Sequence, residues 1–164
     1  MDLDQYSTED LILTALKAEV GAKEIYSTLA TGVKNAYLRG RLEFLASEEE
    51  KHERYLDGLY RNEFEGRDPV LPDSTPVPMP EVTIPSEQVP ITGILSQAMA
   101  AEKAASEFYA FMAERWGKGS EAHDMLMYFS KMEMGHYRLL ETEMAAAAEF
   151  EEFDSVWPLM HAGP

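Results

Sequence analysis

Two stretches of the chain place a glutamate three residues before a histidine: Glu49 and His52 in LASEEEKHERYL (45–56), and Glu133 and His136 in KMEMGHYRLL (131–140). On a helix, residues i and i+3 point to the same side, close enough to share a metal centre. Both pairs also interrupt apolar stripes. Leu42 and Leu45 lead to Glu49 and His52 before Leu56, while Leu126 and Phe129 lead to Glu133 and His136 before Leu140. Spacings of three and four residues make these inward-facing positions.

Each pair follows a segment with a matching partner. EVGAKEIY (19–26) and EKAASEFY (102–109) coincide in Glu, Ala, Glu and Tyr at an offset of 83, and the Glu-x-x-His pairs coincide at an offset of 84. Glu19 lies between Ala15 and Ala22, and Glu102 between Ala98 and Ala105, so both carboxylates face inward too. Four carboxylates buried together must be protonated, paired or metallated. The 14 Lys and Arg mostly fall off these faces. Two divalent cations resolve the problem, and oxygen and imidazole donors select iron or manganese over copper. One Glu-x-x-His arises readily by chance, and Glu48–Glu50 alone would read as a solvated charge run. The doubled pattern, with an inward glutamate on each preceding helix, points instead to Glu19, Glu49, His52, Glu102, Glu133 and His136 as six ligands. Without metal, burial and mutual repulsion are expected to raise the pKa of the four carboxylates.

Helices are predicted at about 8–31, 36–65, 92–116 and 121–148. Ser7 with Asp10 forms a capping box, Asn35 caps the second helix, and the tetrad GKGS (117–120) turns the chain into the fourth. Residues 66–91 carry seven prolines and cannot be helical. Two short turns make two antiparallel hairpins, and a second hairpin antiparallel to the first requires a crossover spanning the bundle. The fold expected is all-α, an antiparallel four-helix bundle in a single domain of 1–164. The aromatic tail 149–164, with Phe150, Phe153, Val156 and Trp157, is expected to dock on the bundle or a partner subunit.

A formal charge of −16 disfavours nucleic acid and anionic membranes. No cysteine is present, which excludes disulfides, thiol catalysis and cysteine-held clusters. The polar start MDLDQYSTED is no signal peptide, and no apolar run reaches the roughly 20 residues of a membrane span. The expected setting is cytoplasmic.

With these motifs the chain resembles the rubrerythrin branch of the ferritin-like di-iron carboxylate bundles, over roughly residues 7–148. The resemblance implies two iron ions per chain, with manganese or a mixed pair suited to the same donors. It further implies Glu19 and Glu102 as terminal ligands, Glu49 and Glu133 as bridges, and His52 and His136 each capping one ion. Two departures stand out. A rubredoxin module needs four cysteines, so any electron donor is a separate protein. The peroxidase members carry a further glutamate where this chain has Ala105, and its symmetry mate is Ala22.

The expected activity is therefore a non-haem di-iron oxidoreductase reducing dioxygen or hydrogen peroxide, with ferrous iron oxidation or a non-catalytic metal-binding bundle as alternatives. A homodimer is the expected assembly. Tyr26 and Tyr109, two turns beyond Glu19 and Glu102, read either as packed side chains or as hydrogen-bond partners and redox relays beside the ligands. His123 and His161 fall off the repeat and read as non-ligands. The methionines of the fourth helix read as packing.

Overall fold

A computed structural model of the chain describes residues 3–83 and 90–156, with side chains as far as residue 149. Its elements are four helices, with no strand among the described residues: α1 (Thr8–Gly32), α2 (Ala36–Glu63), α3 (Ile91–Ala113) and α4 (Glu121–Val156). The predicted caps form. Ser7 Oγ accepts from the Asp10 amide at 3.1 Å, and the Asp10 carboxylate accepts from the Ser7 amide at 3.0 Å. Asn35 accepts from the amides of Tyr37 and Leu38 at 2.9 and 3.2 Å. Helix α2 closes two residues before the expected 65, where Glu65 and Gly66 take left-handed φ values of 53° and 79°. Helix α3 ends at Ala113 rather than 116, and Gly119, at φ 85°, makes the turn into α4.

The fourth helix departs most from expectation. It continues past 148 to Val156, a length of about 54 Å at 1.5 Å per residue. AAAAEFEEFDSV contains neither glycine nor proline, and alanine and glutamate are strong helix formers, so nothing stops the helix there. The side chains of Phe150, Phe153 and Val156, and all of Trp157 and His161, lie outside the described residues.

Helix α1 packs along α2 and α3 along α4; the two hairpins meet where α1 faces α3 and α2 faces α4. The core is split in two. At one end, Leu11 and Ile12 from the start of α1 pack with Leu56, Phe108, Met112 and Leu126. At the other, Leu29 from the end of α1 packs with Leu42, Leu45, Leu95 and Leu140. Starts of α1 and α4 thus share an end with the finishes of α2 and α3, which makes every neighbouring pair antiparallel. The crossover travels between the two ends along the α1–α3 face. Val77 is buried in the first cluster and its amide donates to Thr14 Oγ1 at 3.1 Å. Val82 packs on the second, and the Thr83 amide donates to Gln97 Oε1 at 3.1 Å. Between the two apolar clusters lies a belt of charge.

Candidate metal centre

All six expected ligands lie in that belt and are at least 96% buried. Apolar turns above and below fix the register of each helix, and the i, i+3 spacing then turns Glu49 with His52 and Glu133 with His136 toward a common centre. His52 Nδ1 lies 2.9 Å from Glu133 Oε1, 3.2 Å from Glu49 Oε2 and 3.5 Å from Glu19 Oε2. His136 Nδ1 lies 3.2 Å from Glu133 Oε2, 3.3 Å from Glu49 Oε1 and 3.6 Å from Glu102 Oε2. One donor atom from each of Glu19, Glu49, His52 and Glu133 falls within 4.8 Å of the others, and so does one from each of Glu49, Glu102, Glu133 and His136. Glu49 and Glu133 belong to both groups, so the two groups share an edge.

These approaches are short, yet most are not aligned as hydrogen bonds. Both carboxylate oxygens of Glu49, Glu133 Oε1, His52 Nδ1 and His136 Nε2 are buried without a hydrogen-bond partner. A buried carboxylate left this way is costly, and proteins resolve it with a partner or a cation. Oxygen and imidazole donors, doubly unsatisfied and converging from four helices, fit two hard divalent cations.

The tyrosines cross between the halves. Tyr26 donates its hydroxyl to Glu102 Oε1, and Tyr109 donates its hydroxyl to Glu19 Oε1. Burial, then the neighbouring glutamates, push both hydroxyls well above the ordinary tyrosine range, so they remain donors. Glu24 and Glu107, the other repeated pair, are exposed. Glu48 and Glu50 pair with Lys51 and Arg54 on the surface of α2. His123 lies off the cluster, with Nδ1 2.9 Å from Asp124.

The carboxylates do not share one electrostatic fate. Burial, followed by the charges of Glu49 and Glu133, holds Glu19 well above the carboxylate range. Glu102 is raised in the same way, against the opposing pull of His136. Glu49 and Glu133 go the other way: burial favours their neutral forms, but the two imidazoles beside them prevail and lower both. This corrects the expectation of four raised carboxylates. Burial likewise opposes charge on His52, yet Glu133, Glu19 and Glu49 push it up to about 12, and His136 is raised similarly by Glu102, Glu133 and Glu49. In the metal-free cluster the surroundings thus favour imidazolium at His52 and His136 and carboxylate at Glu49 and Glu133, and favour the neutral form at Glu19 and Glu102.

The family model described as Rubrerythrin matches residues 10–144. The chain belongs to the rubrerythrin family. A solved structure of a hypothetical protein from Pyrococcus furiosus superposes with a TM-score of 0.81 at 32% identity, covering 91% of this chain and 95% of its own. A dodecameric thioferritin, the bacterioferritin-related protein of Bacteroides fragilis, superposes with a TM-score of 0.70 at 23% identity, covering 93% and 91%, and so shares the fold. No curated protein matches the sequence.

Several features of this rubrerythrin-family chain escape a motif reading. Phe129 packs on His52 with ring centroids 4.1 Å apart, while its repeat mate in the first hairpin is Leu45. Thr14, fully buried, holds the crossover amide of Val77. A cavity of about 250 Å³ opens from the α1–α3 face onto Glu19, Glu49, Glu102 and Glu133, and Met79, Pro80 and Val82 of the crossover border it. Ala22 and Ala105 are among the small residues that line it.

Proposed function

We propose that Glu19, Glu49, His52, Glu102, Glu133 and His136 hold two iron ions, and that the chain is a non-haem di-iron oxidoreductase reducing dioxygen or hydrogen peroxide with electrons from a separate donor protein. Manganese suits the same donors. The observation that carries this reading is the convergence of buried, hydrogen-bond-deficient carboxylate oxygens and imidazole nitrogens from all four helices. Bound iron would supply redox equivalents and Lewis acidity.

The chain's own residues set the conditions. Glu49 and Glu133, common to both donor groups, would link the two ions, with Glu19 and His52 on one side and Glu102 and His136 on the other. Tyr109 and Tyr26 orient Glu19 and Glu102 by donating to one oxygen of each, which leaves the second oxygen for a cation. The apolar clusters at both ends exclude bulk water from the belt, and the α1–α3 cavity gives a small reactant a path to the carboxylates.

A second reading takes ferrous iron itself as the substrate, and the shared fold with a thioferritin favours it. That relative's twelve-subunit state also makes an oligomer of this chain a reasonable form, of which a homodimer is the simplest. Anaerobic loading with ferrous iron, followed by dioxygen or peroxide under stopped-flow optical detection, tests both. Fast oxidation by peroxide supports the reductase, and fast oxidation by dioxygen with repeated turnover of added ferrous iron supports the second reading. Failure to take up two ions per chain would sink both.

A further inference from the structure

The α1–α3 cavity is larger than the two cations need. Its floor is formed by Glu19, Glu49, Glu102 and Glu133, whereas neither histidine lines it, so it reaches the cluster from the face opposite the imidazoles. From there it extends between the helices to Ile25, Met79, Pro80 and Val82, and most of its lining is apolar. The walls are set back by small residues: Ala18, Gly21 and Ala22 on α1, and Ala101 and Ala105 on α3. A Cβ at Gly21 would meet nothing within 4 Å, so the space beside it is open.

The roof is part of the fold. The crossover is tied to α1 through Val77 and Thr14 and to α3 through Thr83 and Gln97, with Met79, Pro80 and Val82 held between these ties. Buried at the floor, Glu49 keeps both oxygens without a hydrogen-bond partner. At the periphery, Lys17 and Glu81 offer one charge of each sign. An apolar interior with balanced charge at its edge favours a neutral guest. A dry apolar cavity of about 150 Å³ holds benzene, and on that scale about 250 Å³ holds roughly ten non-hydrogen atoms. Dioxygen or hydrogen peroxide would leave most of it empty.

We propose that this cavity binds a small, uncharged organic molecule, apolar over most of its surface, at the floor formed by the four glutamates. The proposal rests on the reading above only in placing that guest beside the metal centre; the walls and roof of the cavity are built by side chains outside the proposed ligand set.

Indole, uncharged and apolar apart from one N–H, is a suitable probe. Titrated calorimetrically into the protein both metal-free and after incubation with redox-inert zinc, it should bind saturably at one site per chain with Kd below about 1 mM. Ala22→Leu and Ala105→Leu, which put bulk into the walls, should each weaken binding roughly tenfold or more. Absence of saturable binding to wild type, or unchanged binding to both folded variants, would overturn the proposal. Crystals soaked in 5-bromoindole give a readout independent of the variants: bromine should appear between Ala22 and Ala105, and a bromine site only elsewhere would overturn it. Metal content and ferrous oxidation measured on the same wild-type preparation separate the two ideas. Indole binding without metal uptake sinks the di-iron reading alone, and metal uptake with oxidation but no indole binding sinks this one alone.

Discussion

The hydroxyl of Tyr26, on α1, is hydrogen-bonded to Glu102 on α3, and the repeat carries the mirror arrangement from Tyr109 to Glu19. Each hairpin thus supplies the tyrosine that orients the other hairpin's carboxylate. The cavity is lined by residues of both α1 and α3, so these two bonds tie the helices together beside it.

Tyr26→Phe and Tyr109→Phe should each leave a buried carboxylate oxygen unsatisfied. The expected cost is about 1–3 kcal/mol of apo stability, read by chemical denaturation. Ferrous affinity should fall about 10–100-fold, the usual effect of removing a group that orients a ligand. Full retention of iron affinity in both variants would show that the hydroxyls merely pack.

Metal uptake should release protons. Burial raises Glu19 and Glu102, and the glutamates raise His52 and His136, whereas bound cations need all of these groups deprotonated, so loading displaces protons. Affinity should therefore climb with pH. Calorimetry in buffers of different ionisation enthalpy counts the protons, and a count near zero would refute the charge arrangement described for the metal-free cluster.

The same shifts set the stability of the apo fold. Glu19 and Glu102, raised in the folded state, penalise it increasingly as pH rises from about 4.5 toward their folded pKa values. His52, raised to about 12, contributes stability that is complete below about 6.5 and is lost as pH rises toward 12. Glu49 and Glu133, lowered, contribute stability present above about 4.5 and lost as pH falls below it. The three trends meet near pH 5, where apo protein should melt highest. Holo protein, its cluster deprotonated and metal-bound, should instead lose stability on acidification. Parallel melting profiles for the two forms would contradict this.

The six cluster residues were legible because helical spacing alone decides which face a residue occupies, and Glu19, Glu49, His52, Glu102, Glu133 and His136 all fall on apolar faces. The hairpin order followed from loop lengths. Which tyrosine meets which glutamate was not legible, since that depends on how far apart α1 and α3 stand, a distance set by Ala22, Ala105 and the crossover together. Nor was the role of Val77 visible: the Pro-rich segment has no periodicity, so a buried position in it looks like any other. The split in carboxylate pKa escaped because it arises from imidazoles on α2 and α4, whose distances a sequence does not give.

Glu19→Gln and Glu102→Gln test the equivalence of the two halves. Simple truncation to alanine would strand the partner tyrosine hydroxyl, whereas glutamine keeps an acceptor for Tyr109 or Tyr26 and cannot ionise. Above about pH 5 both apo variants should melt at or above wild type, since a raised carboxylate is replaced by a neutral isostere. Both should bind iron weakly, by metal analysis after gel filtration. A deficit in one variant alone would mean that the halves differ, and Phe129 against His52 opposite Leu45 is the visible asymmetry that could cause it.

The crossover is strapped over the cavity through a single buried threonine on α1. Thr14 is fully buried on α1, and its Oγ1 is the acceptor for the amide of Val77, whose side chain is itself in the core. Thr14→Val keeps the shape and removes the acceptor, so a buried amide is left unpaired at a cost of about 1–3 kcal/mol. Thr14→Ser keeps the oxygen and loses only a methyl group, which costs about 1 kcal/mol. The order of stability should be wild type, then serine, then valine, although valine is the more apolar replacement. Hydrogen exchange should localise the effect: the Val77 amide should exchange faster in Thr14→Val than in Thr14→Ser, while amides in the middle of α2 and α4 keep their protection relative to the global stability. If valine proved the more stable of the two, with Val77 still protected, the crossover would be held by apolar packing of Val77 alone and the Thr14 hydroxyl would have no part in roofing the cavity.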